Sequence, residues 1–422
     1  MRKVGTLTSA LTLLVLGGLL LFDQLSDKQI IFKVLSYWPV IVFALGAELL
    51  WSLYAVKKLK INEEIRVDAR SIALLCLVGV FSLVVYSQQS IQGLVQSSIV
   101  NLRDALSEKR ISLPDMKFDA KSVKRMEIFN RVGTIDLRPS DSQTIQLKTK
   151  VRVQNLQSDQ ANQEAQSLTP LISQGETLRV EIDPAWSASS KITGVDLELL
   201  VPDNIDVQLL TDTGNVTVLN HVGNVVVSSQ SGKVDLQDIK GTATVDDGNG
   251  QIKAASILGD VEIKTKAGSL DVHDIKGNVQ LDNAFGQIKA GKIDGDLNIT
   301  SRNGIIDLDT VAGNVEAQIE NGPIHAANLQ KAVTLNSSSG GITLESIVGG
   351  TWVLNSQRGN VMVRIPKDSD VEFIGESSSG TIKGPMQSNK PNESKVSEKL
   401  GRGTYQLLIR TETGSITVNP NL

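Results

Sequence analysis

The fold turns on the stretch Gly259–Lys276, which reads GDVEIKTKAGSLDVHDIK. Glycine opens it, returns nine places later at Gly268, and returns again at Gly277, where the next unit begins. After each glycine the second and fourth residues are apolar: Val261 and Ile263, then Leu270 and Val272. Such two-residue alternation belongs to a β-strand with one face turned inward. The two halves are unlike. The seventh residue after Gly268, Ile275, is apolar, whereas the matching stretch after Gly259 is polar. The true unit is therefore about 18 residues long, one turn of a coil.

The pattern extends in both directions. Glycine recurs every nine residues from Gly214 to Gly322, Lys331 breaks the run, Gly340 restores it, and one extra residue at Gly349–Gly350 shifts the phase to Gly359. The seventh place of the first half is apolar down the series, at Ile239, Ile257, Ile275, Ile293, Val311, Leu329 and Ile347. The second half is polar there, as in Asp246–Asp247, Asp282–Asn283 and Asn336–Ser339. Glycine supplies the positive φ that each corner needs. One coil cannot bury its own apolar face, but stacked coils can. Residues 214–358 thus predict a β-solenoid of about eight coils, on the order of 40 Å long at strand spacing.

Stacking makes columns. The third place of each first half reads Thr217, Asp235, Lys253, Asp271, Lys289, Asp307, His325, Thr343. The fifth place of the second halves reads Ser228, Asp246, Lys264, Asp282, Thr300. Opposite charges one strand apart attract modestly and like charges repel, so these columns read as solvated ladders that fix coil order.

The flanks are β-rich and cover the open edges a solenoid would otherwise present. Residues 118–213 form an entry cap, with strand patterns at Met126–Phe129, Thr134–Leu137, Ile145–Val153, Thr177–Ile182 and Val195–Val201 and a helical stretch at Asp159–Leu168. Residues 359–422 form an exit cap of short strand patterns around the polar loop Gln387–Glu398. The overall class is mainly β, preceded by three transmembrane helices.

Those helices are read from the first 87 residues. Apolar runs cover 5–22, 38–56 and 71–86, against roughly 17 to 25 residues for a span. A cleaved leader is the rival for the first run, but no small-x-small site precedes Asp23–Gln24. Lys57, Lys58, Lys60, Arg66 and Arg70 in the second loop put that loop and the N-terminus in the cytoplasm. Three crossings then place everything after residue 87 outside, as a multi-pass membrane protein. Residues 88–117 read as a juxtamembrane helix or stalk. Glu48 lies inside the second run, where its neutral explanation is a carboxyl turned toward neighbouring helices.

Little in the sequence points to chemistry. The formal charge of −4 implies no polyanionic partner, and no basic patch supports nucleic-acid binding. The single Cys76 allows neither an internal disulfide nor a cysteine metal site. His221, His273 and His325 fall at three different places in their units. No zinc-protease, nucleophile-elbow or phosphate-loop motif is present. Asp246 and Asp247, with Asp282 two coils on, are the best carboxylate cluster for glycan cleavage, but pairs of this kind read as solvated turns. The sequence therefore assigns no catalytic, cofactor or metal residues.

The runs GDVEIKTKAG (Gly259–Gly268), GNVQL (Gly277–Leu281), LLVP (Leu199–Pro202) and TGSITV (Thr413–Val418) resemble the β-repeat family of bacterial surface proteins known as putative adhesins, over Phe118–Leu422. GGLLLFDQ (Gly17–Gln24) and WPVIVFALGAELL (Trp38–Leu50) are similar to the membrane segment of Lia-type envelope-stress proteins. These resemblances imply a bacterial cell-envelope protein. Three functions follow as expectations. The first is a membrane-anchored surface module that binds an envelope polymer or surface protein. The second is a regulator of an envelope-stress system, contacting a membrane sensor through its helices. The third, less favoured, is a wall-polysaccharide enzyme.

Overall fold

The computed structural model describes residues 108–154, 158–182, 191–386 and 393–421, together with residues 2–4, 65–67 and 389–390 and isolated helical positions between 10 and 54. The chain divides into two compact units, Met1–Ser107 and Glu108–Leu422. In the first, Arg2–Val4 pairs in parallel with Ile65–Val67. The expected spans 5–22, 38–56 and 71–86 lie almost entirely outside the described residues. Among the described residues no helix is long and apolar enough to cross a membrane.

The second unit is the solenoid. Its central coils are single bent strands, Ala243–Ile257, Val261–Ile275, Val279–Ile293 and Leu297–Val311, each joined to the next by a short turn. Each pairs in parallel with its neighbour at a constant step, as in Val261↔Val279 and Val279↔Leu297. A coil has two arms that face each other across the core. One arm buries Val261 and Ile263, the other Leu270, Val272 and Ile275.

The spacing 2, 4, 7 in the second arm has a backbone cause. Simple alternation would bury the sixth place. Instead the sixth residue adopts left-handed φ, at Asn220, Asp238, Ser256, Asp274, Lys292, Thr310 and Asn328, with φ of 52–60°. That residue is skipped in the pairing, which runs Gln237↔Ala255 and then Ile239↔Ile257. The bulge shifts the alternation by one and returns the seventh side chain to the core. Four of these seven positions hold Asn or Asp, the types other than glycine that tolerate this conformation at least cost.

Glycine at the corner meets a separate demand. Gly268 has φ of +147°, and a Cβ there would lie 1.7 Å from the carbonyl oxygen of Gly250 in the coil beneath. Gly286 stands in the same relation to Gly268. This corner column is therefore glycine for close approach as well as for conformation, whereas Gly241, Gly259, Gly277, Gly295 and Gly313 at the other corner have no left-handed φ and are glycine for close approach alone.

The stack does not end at Gly214 or Arg358. On the entry side, the coil Arg125–Asn130 with Ile135–Pro139 pairs in parallel both with Asp206–Thr213 and Val216–His221 and, outward, with Thr177–Ile182 and Ile192–Val201. On the exit side, Tyr405–Thr413 and Ile416–Pro420 lie between Trp352–Ile365 and Val371–Lys383. At both ends the chain-terminal coil is thus second from the end in space, held between two others. Antiparallel strands close the ends: Thr144–Gln154 and Leu171–Ser173 at the entry, Lys395–Leu400 at the exit.

Two local readings change. Glu108–Ser112 and Met116–Asp119, in the stretch read as helix or stalk, are strands antiparallel to Thr144–Gln154. Their alternation lets Ile111 and the following Leu113 pack on Val151, Val153, Ala161 and Ala165, the last two on the helix Ser158–Gln166. Ile347 is 70% exposed, and Ser346 and Val348 are buried instead, because Ser346, at the sixth place, lacks the left-handed φ of its column and simple alternation continues. Ser346, buried, donates to the Leu329 carbonyl and accepts from the Leu329 amide, both at 2.8 Å. The core is otherwise continuous from Val123 to Val418, with Trp352 and Phe373 its largest side chains near the exit.

Candidate functional site

The carboxylates singled out in the sequence do meet. Asp246, Asp247 and Asp282 line one hollow with Lys264, Arg302 and the half-exposed ring of Phe285. They do not form an acid pair open to a substrate. Asp247 is buried, and neither of its carboxyl oxygens has a hydrogen-bond partner. The solvated-turn reading therefore fails for Asp247: it stands at the sixth place of the first arm, which points inward. Burial pushes its carboxyl above the ordinary carboxylate value against the pull of the neighbouring Ser229 hydroxyl, and the Asp246 charge adds to the rise. Asp246 and Asp282 stay outside and flank Lys264, whose ammonium is held above its usual value chiefly by Glu262 and further by both aspartates.

The same inward place is polar in nearly every coil: Asn130, Thr211, Ser229, Asp247, Thr265, Asn283, Ser301, Ser337, Ser356, Ser377 and Thr411 are all buried. Several donate to the carbonyl of the corner glycine one coil away. Asn283 Nδ2 reaches Gly268 O at 3.1 Å, Ser337 Oγ Gly322 O at 3.2 Å, Ser356 Oγ Gly340 O at 2.9 Å, and Ser377 Oγ Gly414 O at 3.0 Å. These members serve the backbone, satisfying carbonyls that face the core at the corner, while Thr211, Ser229 and Ser301 keep buried hydroxyls without a partner.

The outer charge columns stack as their order requires, with Asp235, Lys253, Asp271, Lys289 and Asp307 on consecutive strands. Among the described residues no ion pair joins two members of this column. Lys233 reaches Asp235 at 2.9 Å, and Gln287 donates to Asp307 at 2.7 Å. Asp235 is met from its own arm and Asp307 from the same arm of the neighbouring coil, so the column carries alternating charge without close pairs.

The histidines divide into two kinds. His221 takes the apolar seventh place and is buried, its Nε2 2.8 Å from Ile205 O. Burial lowers its pKa and keeps it neutral. His273 and His325 share no column, yet both line a hollow of about 540 Å³ on the outer face of the second arm. It extends from Asp271 to Glu345, crossing consecutive strands. Gly291 and Ala327 keep its floor low. Its polar groups are held in place. His273 Nδ1 lies 2.7 Å from Asp274 Oδ2, which lowers the Asp274 pKa, and Asn328 Nδ2 donates to Asp309 at 2.8 Å. Among the described residues no group of three or more metal-ligating side chains is assembled. The sequence reading missed this hollow because its floor is defined by missing side chains. Gly291 falls outside the nine-residue series, and that was the available signal.

Solved structures align over 74% of this chain. One is described as a putative cell adhesion protein from Clostridium sporogenes, with 11% identity, 99% of its own chain covered and a TM-score of 0.17. Another is described as a putative adhesin from Bacteroides fragilis, with 13% identity, 98% covered and a TM-score of 0.22. A third, described as a putative adhesin from Parabacteroides distasonis, has 10% identity, 96% covered and a TM-score of 0.20. No curated protein matches the chain. Residues 123–419 match the family described as Toastrack DUF4097, and these are the residues that build the stacked coils and their closing strands. With most of its length inside that match, the chain belongs to the Toastrack DUF4097 family.

Proposed function

We propose that this protein is a membrane-anchored, extracytoplasmic interaction module of the adhesin type, which binds an envelope polymer or surface protein and does not transform it. The observation that carries the reading is the outer surface of the stack. Its polar side chains stand in register, one per coil, on a core rigid enough to hold their spacing. Such a surface offers many weak, aligned contacts, which suits a long ligand more than a small substrate.

The anchor rests on the three apolar runs and on one pairing. Arg2–Val4 pairs with Ile65–Val67, which supports a shared side for the start of the chain and the Lys57–Arg70 loop, the arrangement that two crossings between them would need. Single cysteines at Lys60 and Lys367, in a Cys76→Ser background, test the topology with a membrane-impermeant maleimide on intact cells. Labelling at 367 alone is expected; labelling at 60 overturns the orientation.

Glu48 favours a second role in the membrane, since an ionisable group within an apolar run often serves a partner helix. A chain cut to residues 1–87 that still controls an envelope-stress response would place regulation in the helices.

A further inference from the structure

The hollow on the second arm repeats internally. Down the fifth place of the first halves the residues are His273, Gly291, Asp309, Ala327 and Glu345, on consecutive strands. Large and small side chains alternate. Two notches result, one over Gly291 between His273 and Asp309, the other over Ala327 between Asp309 and Glu345. Beside each, in the third-place column, stands a nitrogen base: Lys289 at the first and His325 at the second. The notches are two coils apart, about 10 Å at strand spacing.

From this periodicity we infer that the groove is a binding site for an extended glycan with a disaccharide repeat, its sugar rings seated in the two notches. The inference rests on the interaction-module reading and names its site and ligand class. The two-coil step is close to the length of one disaccharide in an extended β-linked chain. A ring laid over Gly291 or Ala327 meets backbone and a methyl group, so its C–H face approaches without obstruction. Around it, carboxylates of Asp309 and Glu345 accept from hydroxyl and amide donors, and Lys289 and His325 supply donors. Hydrogen bonds from Asn328 to Asp309 and from Arg364 to Glu345 fix two of these groups in advance, which lowers the entropy lost on binding. The groove sets the carboxylates of Asp271, Asp307, Asp309 and Glu345 against the ammoniums of Lys289 and Lys292, so a polyanion meets repulsion there and a glycan with neutral rings does not. A β-strand peptide is a poorer match, because its side chains on one face repeat at about 7 Å, out of step with the notches.

The test is calorimetric titration of the purified full chain with β-1,4-linked N-acetylglucosamine oligomers of two, four and six units. The tetramer, filling both notches, is expected to bind at least about tenfold more tightly than the dimer, with little gain for the hexamer. Ala327→Leu fills the second notch and is expected to reduce the tetramer to dimer affinity. Asn298→Ala, on the other arm, leaves binding unchanged. Circular dichroism checks that both variants fold. Equal affinity for all lengths, no binding of any oligomer, or full binding by Ala327→Leu overturns the inference. If glycan binding is lost in Asn298→Ala alone, or if the chain captures only an envelope protein, the groove assignment fails while the interaction-module reading stands. If nothing from the envelope binds, both fail.

Discussion

Asp247 holds the place that a hydrogen-bond donor holds elsewhere in its column: a hydroxyl at Ser337 and Ser356, an amide at Asn283. An ionised carboxylate offers no donor, so the folded chain favours its protonated form. With its pKa raised above 3.8, its contribution to stability is full below that value and is lost as pH rises through the raised one. Asp247→Asn should stabilise the chain at pH 7 by about 1–3 kcal/mol, the range for satisfying a buried polar group. The difference should shrink as pH falls toward about 4. Urea melts across pH check this, and a variant less stable than the parent at pH 7 would show that the carboxylate is paired. His221 runs the other way. Its lowered pKa means stability present above 6.5 and lost as pH falls through the lowered value. His221→Ile, which restores the residue type of Ile239 and Ile257, should flatten that acid limb in the same melts.

At the scale of the element, the corner and the edge strand carry the demands. Gly286→Ala places a Cβ 1.9 Å from Gly268 O at φ of +132°, and should cost at least about 1–3 kcal/mol. Gly175→Ala, with nothing within 4 Å, should leave the melting midpoint unchanged. The outermost strand Lys395–Leu400 keeps Lys395 and Lys399 exposed, charges that discourage pairing with a second molecule. Replacing both with Thr should produce concentration-dependent end-to-end association, visible by light scattering. The coil itself was legible because its period is local and short. The left-handed column was not, since Asn220, Ser256 and Lys292 share no residue type; only the three-residue step from Leu236 to Ile239 hinted at a bulge. Asp247 was misread because a polar residue facing inward looks, in sequence, like a polar residue in a turn. The notches escaped because Ala327 and Gly291 signal by what they lack.

For the whole solenoid unit, the arrangement of the ends was beyond any local pattern. The pairing of Arg125–Asn130 with both Asp206–Thr213 and Thr177–Ile182 joins segments separated by long intervening chain. Because Tyr405–Pro420 is held on both sides, hydrogen exchange over residues 405–418 should be as slow as in the central coils, where an ordinary chain end would fray. Fast exchange there would contradict the sandwiched placement. The same feature constrains how such a protein can change in length during evolution. Neither end of the stack is an open growing edge, so a coil added at an end would have to undo the closure there. An in-frame duplication of one 18-residue unit between Gly232 and Gly322 would instead slide into a lattice whose columns repeat by simple translation. Growth from the middle would leave both closures untouched and move them apart by one strand spacing for each unit gained, so family members of different reach can share the same two ends.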